Sequence, residues 1–343
     1  MTLFPTLSVI IVSYHSQTDL EQCLPTIRCS SPFEIIIVDN DPADGTGAWI
    51  QRHYPEIQVI PSSNSGYGAA CNAGMEVSRG NYWCVLNPDT ILWPGALDAM
   101  LKTARQNSKA LVTPALVQPS GSVNAYGNAM HITGITTCSH LGESWSDTPR
   151  LRSPLLASGA AIMAPRAVWE KLDGFDSGYF LYMEDADLSL RARLQGFAVV
   201  CDTHARITHD YTLNLTPEKF YWLERNRWRT VLTTYSAGTL FKLTIPLLVT
   251  EAATWFYALT KGRRYLSAHI RVYTWLVGHH SVWRTKRSAV QRQRTVPDTA
   301  LLSSMETAYP LGQLVSSERL AKRLSCWSSW FFSWFSGKKV ALR

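Results

Sequence analysis

The stretch LSVIIVSYHSQTDLEQCLPTIRCSSPFEIIIVDN, residues 7–40, decides the fold. LSVIIVSY (7–14) is a near-continuous apolar run, the pattern of a strand buried on both faces. The segment Thr18–Ile27 sets Leu20, Leu24 and Ile27 at helical spacing, and EIIIVDN (34–40) is a second buried strand that ends on an acid. The alternation continues: a helix over 45–53, a short strand in IQVIPSS (57–63), a glycine-rich turn feeding a helix in NSGYGAACNAGMEVSRG (64–80), and a strand in NYWCVLNPDT (81–90). Alternating units of this size predict a mostly parallel sheet flanked by helices, an α/β fold with a Rossmann-like first half. From 110 to 160 the pattern loosens into short strands and turns. Residues 186–195 read as a helix and GFAVVCD (196–202) as a strand; after Thr216 the periodicity is almost wholly helical.

Charge divides the chain at the same place. Residues 1–216 hold 13 Lys/Arg against 20 Asp/Glu, and residues 217–343 hold 20 against 6. Eight of the 13 tryptophans also follow residue 216. A basic, Trp-rich half attached to an acidic half points to an anionic surface as partner. Tryptophan among long apolar runs favours the lipid headgroup region over nucleic acid. The seven cysteines form no CxxC pair, and their odd number argues against a disulfide framework. MTLFPTLSVIIVSY runs straight into a strand pattern with no secretory leader, so a reducing, cytoplasmic location is expected.

In open α/β sheets ligands collect at the carboxyl ends of the strands. Three ends carry suitable polar groups: Ser13 and Tyr14, Asp39 and Asn40, and Asn87 with Asp89. Asp39 could accept from a base or ribose hydroxyl, or cap a helix. In NPDT (87–90), Pro88 ends the ladder and leaves the Asp89 carboxylate exposed. Mg²⁺ takes one or two protein carboxylates plus substrate phosphate oxygens, so one such Asp suffices when a diphosphate supplies the rest. GYGAACNAG is not spaced as GxGxxG and does not follow the first strand, which excludes a dinucleotide fingerprint. Its small residues are expected to let the backbone approach a ligand, with Asn64 and Asn72 as donors.

YMEDADLSLRARLQG (182–196) packs Glu184, Asp185 and Asp187 at a helix start. The helix dipole accounts for one or two acids there, not three. A carboxylate in reach of a sugar hydroxyl can remove its proton, and burial beside aromatic residues would raise its pKa. Two adjacent acids with different burial could then divide a structural and a catalytic part. His209, in THARITHDYT (203–212), is a candidate second metal ligand or phosphate contact, with Asp210 as rival. ERNRWR (224–229) offers Arg225, Arg227 and Arg229, either for bidentate contact with a diphosphate or as a solvated basic face.

These residues, in order from VIIVSY through IIIVDN, NSGYGAACNAG, NPDT and GFDSGYFLYMEDADLSLRARLQGF to the later His, resemble glycosyltransferase family 2 over about residues 6–230. The likeness is greatest to non-processive bacterial enzymes of cell-surface polysaccharide synthesis, rhamnosyltransferases among them. The resemblance implies a GT-A fold, Mg²⁺ or Mn²⁺, a nucleotide-diphosphate sugar donor and inversion at the anomeric carbon. It sets NPD in the place of a DxD metal motif, with Asn87 for the first acid and Asp89 retained. MED matches the xED motif and assigns Asp185 as base, leaving Glu184 and Asp187 to orient the acceptor or hold the helix. Asp39 matches the acid that contacts the nucleotide, and Ser13 falls in the nucleotide loop. Glu224 stands where processive members have the Gln of QxxRW, so processivity is not inferred. Acceptors in such pathways are glycans or polyprenyl-linked glycans.

The expected organisation is a catalytic domain over 1–230 and a basic, Trp-rich helical extension over 231–343. FKLTIPLLVTEAATWFYALT (241–260) approaches the length of a membrane span, but Lys242 and Glu251 argue against one. CWSSWFFSWFSGKK (326–339) aligns Trp327, Phe331 and Trp334 ahead of Lys338 and Lys339, as helices lying in the interface plane do. The expectation is an enzyme peripheral to the inner face of the cell membrane, with no nucleic-acid partner. The alternative is an inactive relative serving as a membrane-bound binding subunit.

Overall fold

The computed structural model describes residues 5–146, 150–210, 214–309 and 318–336. Among them the chain forms two compact units, one of Met1–Asn128, Cys138–Ala192 and Phe197–Thr212, the other of Ala129–Thr137, Arg193–Gly196 and Leu213–Arg343.

The first unit is built on a mixed sheet. Its strands are β1 (Leu7–Ser13), β2 (Phe33–Asp39), β3 (Gln58–Pro61), β4 (Tyr82–Leu86), β5 (Thr90–Leu92), β6 (Ala110–Val117) and β7 (Val123–Ala125). Asn128–Met130 (β8) and Thr136–Cys138 (β9) pair as a separate hairpin, most of which belongs to the second unit. Leu151–Arg152 (β10), Ala161–Pro165 (β11) and Ala198–His209 (β12) complete the set. The main order is β10-β12-β6-β11-β4-β1-β2-β3, with β5 added to β12 and β7 to β6. β3, β2, β1 and β4 run parallel, as the buried apolar runs predict. β11 runs antiparallel to β4 and β6.

Alternation along β1 assigns the two faces. Leu7, Val9 and Ile11 pack with Leu20 and Leu24 and with Leu97, Met100 and Leu101. Ile10 and Val12 pack on the other side with Cys71, Met75, Trp169 and Leu188. The flanking helices are α1 (Gln17–Cys23), α2 (Thr46–His53), α3 (Tyr67–Val77), α4 (Ala96–Gln106), α5 (Arg166–Leu172) and α6 (Glu184–Leu194). α1 is shorter than the periodicity suggests, because Pro25 turns Leu24–Thr26 into a 3-10 segment. NYWCVLNPDT is two strands rather than one: residues 87–89 form the turn between β4 and β5. GFAVVCD is only the start of β12, which continues to His209 through an irregularity between Asp202 and Arg206.

The second unit is helical, as expected beyond Thr216: α7 (Pro217–Thr234), α8 (Ala237–Lys242), α9 (Thr244–Lys261), α10 (Arg263–Gly278), α11 (His280–Gln293), α12 (Asp298–Ser304) and α13 (Glu318–Ser336). α7 opens with Thr216 accepting from the Lys219 N–H at 3.2 Å and Pro217 at the first helical position. Phe220, Tyr221, Ala258, Ala268 and Val272 form its apolar contact with α9 and α10. Among the described residues no helix is long and apolar enough to cross a membrane.

Candidate active site

Parallel pairing of β1 with β2 sets Ser13 opposite Asp39. Ser13 is buried, and its Oγ has no hydrogen-bond partner among the described residues. Asp39 accepts from the Asp41 N–H at 3.3 Å and the Gly47 N–H at 3.1 Å, which ties down the start of α2. Burial nonetheless raises its pKa. Tyr14 is half exposed at the strand end, against the ring of His15. His15 is a residue the sequence reading missed; its Nε2 lies 3.2 Å from Asp41 Oδ2, and its N–H donates to Asp44 at 2.9 Å.

Asp89 and His209 meet through a strand ladder. β5 pairs antiparallel with the end of β12, setting Thr90 opposite His209. Asp89 Oδ2 lies 3.4 Å from His209 Nε2, with the Asp89 side chain 40% exposed. Burial pushes the Asp89 carboxyl up, but the His209 hydrogen bond and charge outweigh it and hold the group below its ordinary range. Among the described residues no cluster of three or more His, Cys, Asp or Glu could hold a metal alone. An open carboxylate beside one imidazole instead fits a hard cation that draws its other ligands from water and phosphate.

The acid cluster divides as its burial dictates. Asp185 accepts from the Gly159 N–H at 2.8 Å, from Asn128 Nδ2 at 3.5 Å and from the Ala186 N–H at 2.7 Å. Gly159 matters because a Cβ there would lie 3.2 Å from Asp185 Oδ2. Glu184 is 7% exposed, and its Oε2 has no partner among the described residues. Burial, then the charge of Asp185, push its carboxyl up to about 8. Burial raises Asp185 too, but its backbone donors oppose that. The two acids therefore sit in unequal surroundings: Glu184 keeps its proton near neutrality, while the hydrogen bonds to Asp185 favour the charged form of that carboxylate against its burial. Asp187 fastens the helix to the preceding loop. Arg191 Nε reaches its Oδ2 at 2.7 Å, and the same guanidinium donates to the carbonyls of Leu172 and Gly174.

Gly159 and its neighbour join the two halves of the site. The Gly159 N–H holds Asp185, while the Ala160 carbonyl accepts from the Asn87 N–H at 2.9 Å. Two consecutive residues thus connect the acid helix to the Asn87–Asp89 turn. Tyr67 closes the same corner, its hydroxyl donating to the Gly159 carbonyl at 3.1 Å. Asn128, Gly159 and Tyr67 gave no signal in the sequence, since two lie in its irregular middle and the third reads as helix.

Other candidates have different work. Asn72 donates to the Phe175 carbonyl at 2.8 Å and accepts from its N–H at 2.9 Å, so its amide braces a loop instead of meeting a ligand. The small residues of α3 admit that loop: a Cβ on Gly68 would lie 2.9 Å from Phe175 Cβ. Asn64 is exposed and accepts from the Gly66 N–H at 3.2 Å. In the second unit Arg227 is buried and committed to Glu224 at 2.6 Å and Glu251 at 3.0 Å. Arg225 is buried too, donating to Asn226 Oδ1 and lying against the rings of Trp222 and Trp275. The expected diphosphate contact of this pair gives way to buried packing, because both guanidinium groups are enclosed within the helical unit.

The family model for glycosyl transferase family 2 matches residues 8–165. The N-acetylglucosaminyl-diphospho-decaprenol L-rhamnosyltransferase of Mycobacterium tuberculosis is 30% identical over 233 residues, covering 59% of this chain and 75% of the relative. Two solved structures share the fold at 13% identity. GalNAc-T7 with UDP, GalNAc and Mn²⁺ superposes with a TM-score of 0.56 over 69% of this chain and 49% of that one. The Pyrobaculum calidifontis mannosyltransferase in complex with GDP-Man and Mn²⁺ gives 0.51 over 98% and 87%. The mixed sheet with its flanking helices is of the GT-A type.

Proposed function

Since the chain belongs to glycosyltransferase family 2, we propose that it is an inverting, metal-dependent transferase that moves a sugar, rhamnose first among the candidates, from a nucleotide-diphosphate donor to a glycan or polyprenyl-linked acceptor. The observation that carries this reading is the bridge through Gly159 and Ala160, which ties the Asp185 carboxylate to the Asn87–Asp89 turn. A base and a diphosphate-facing acid tied to adjacent residues suit a single displacement. Asp185 takes the proton of the acceptor hydroxyl as that oxygen bonds to the anomeric carbon and the bond to the diphosphate breaks. Glu184, kept neutral by its burial, adds no second negative charge beside the base. Ser13, Tyr14 and Asp39 line the strand ends that suit the nucleotide. Asp89 and His209 would hold Mg²⁺ or Mn²⁺, which when bound supplies charge neutralisation for the departing diphosphate.

The rhamnosyltransferase relative is named for a decaprenol-linked acceptor. That name and the basic C-terminal half support a peripheral position on the inner face of the membrane, with residues 231–343 as the associating extension. The test is transfer and donor binding by two variants. Asp185→Asn is expected to lower turnover by about 10²–10⁴ while nucleotide-sugar binding stays within a few-fold. Asp89→Ala is expected to weaken Mn²⁺-dependent nucleotide binding. Near-normal turnover by the first variant removes the base from Asp185, and unchanged binding by the second removes the metal from Asp89.

A further inference from the structure

Helix α9 is apolar on two opposite faces. Pro246, Leu247, Thr250 and Ala258 are its buried residues. On the other side Ile245, Leu248, Phe256 and Leu259 are 56%, 63%, 69% and 60% exposed. At about 100° per residue these four and Ala252 fall within an arc of about 80°, centred opposite the buried face. The stripe extends about 21 Å along the axis at 1.5 Å per residue. A helix apolar all round belongs in a core or in contact with something apolar, and exposed stripes of this size mark interaction sites.

Charge identifies the occupant. From residue 225 to residue 297 the sole acid is Glu251. It faces away from the stripe, accepting from Arg227 at 3.0 Å, Trp228 at 2.8 Å and His269 at 2.9 Å. Lys242 lies exposed before the stripe, and Lys261, Arg263 and Arg264 lie exposed after it. An apolar band with cations at both ends and no acid on its own face of the helix matches an anionic bilayer, whose acyl region takes the band and whose headgroups meet the cations. A second copy of this chain would bring the same cations against one another.

Resting on the reading of a membrane-associated enzyme, we propose that the Ile245–Leu259 face of α9 is its docking surface for anionic lipid and lies in the plane of the interface. This assigns the contact to α9 and not to the C-terminal aromatic helix. There Trp330 and Trp334 are 46% and 73% exposed, a pair that spans only about 6 Å of the axis against the longer stripe of α9, while the side chain of Trp327, and Lys338 and Lys339, lie outside the described residues.

The test is flotation of the full chain with vesicles of phosphatidylcholine alone and of phosphatidylcholine containing phosphatidylglycerol. The wild type is expected to float with the anionic vesicles and to be released by high salt. The double variant Leu248→Gln, Phe256→Gln removes two exposed side chains and is expected to bind at least about tenfold more weakly, with an unchanged thermal melt. Trp334→Gln is expected to change binding less than about threefold, as a side chain outside the docking face. Binding that survives in the double variant and disappears in Trp334→Gln overturns the assignment to α9 and leaves membrane association standing. A wild type that floats with neither vesicle overturns both. A wild type that self-associates without lipid, and a double variant that does not, makes the stripe a contact between copies and overturns the lipid assignment.

Discussion

Replacing Glu184 by Gln is expected to stabilise the protein at pH 8 and to make little difference near pH 5. Glu184 is 7% exposed with one oxygen lacking a partner among the described residues. Its carboxyl is pushed up to about 8 from an ordinary 4.5, first by burial and then by Asp185. A raised carboxyl favours the fold fully below the unfolded value of 4.5, and that contribution is lost as pH climbs toward the folded value. At 1.36 kcal/mol per pH unit, retaining the proton from pH 5 to 8 costs at most about 4 kcal/mol. Relaxation of the Glu184–Asp185 pair brings the expected difference to roughly 2 kcal/mol. Gln has the same shape and no proton to retain, so it escapes this cost. Urea denaturation of both proteins at pH 5, 6.5 and 8 measures it, as a stability difference that grows with pH in favour of the variant. A difference that is constant across the three pH values, or that favours wild type at pH 8, refutes the retention of a proton by Glu184 beside Asp185.

Three further substitutions probe the scaffold of the same site. Arg191→Met strands the Asp187 carboxylate, 1% exposed, without its guanidinium, and is expected to cost about 3–5 kcal/mol in chemical denaturation. Asn72→Ala removes both hydrogen bonds to the Phe175 backbone and is expected to cost roughly 1–3 kcal/mol, with the 174–180 loop cut faster in limited proteolysis. Gly159→Ala puts a methyl 3.2 Å from Asp185 Oδ2, so kcat is expected to fall by at least about tenfold while the melting temperature and KM for the donor change little.

What the sequence reveals depends on how far apart the interacting residues lie. The strands β1, β2 and β4 were legible because a strand buried on both faces is written as a continuous apolar run, and LSVIIVS and EIIIVD are such runs. The acids at 184–187 were legible as a cluster, but their division of labour was not. It depends on Gly159 and Leu172, partners that no spacing rule connects to the cluster, and on Arg191, whose i, i+4 place after Asp187 the sequence does show. Asn72 and the Arg225–Arg227 pair misled for one reason: a polar side chain near a motif looks available until its neighbours are known. Asn72 is met by a backbone about a hundred residues on, and Arg227 by a glutamate 24 residues on. His209 was ambiguous in sequence because only the antiparallel addition of β5 to β12 carries it to Asp89.

The backbone before α6 explains why these acids stand where they do. Tyr182 and Met183 both adopt the left-handed region, each at φ 67°, a conformation that costs a non-glycine residue roughly 1–2 kcal/mol. The helix begins at once, with the Asp187 N–H donating to the Met183 carbonyl at 2.9 Å. An ordinary start would use an extended residue with a capping hydroxyl. Here the turn is too abrupt for that, and Asp185 meets the first-turn N–H of Ala186 while facing Gly159 on its other side. Met183 is buried and anchors the turn, and Arg191 fastens the helix to the loop that precedes it. Glycine at 182 or 183 would relieve the strain, but at 183 it would also remove the buried anchor. The strained pair, the Asp187–Arg191 ion pair and the absent methyl at Gly159 thus act on one quantity, the position of the Asp185 carboxylate. For the base proposed at Asp185, that position sets its reach to an acceptor hydroxyl.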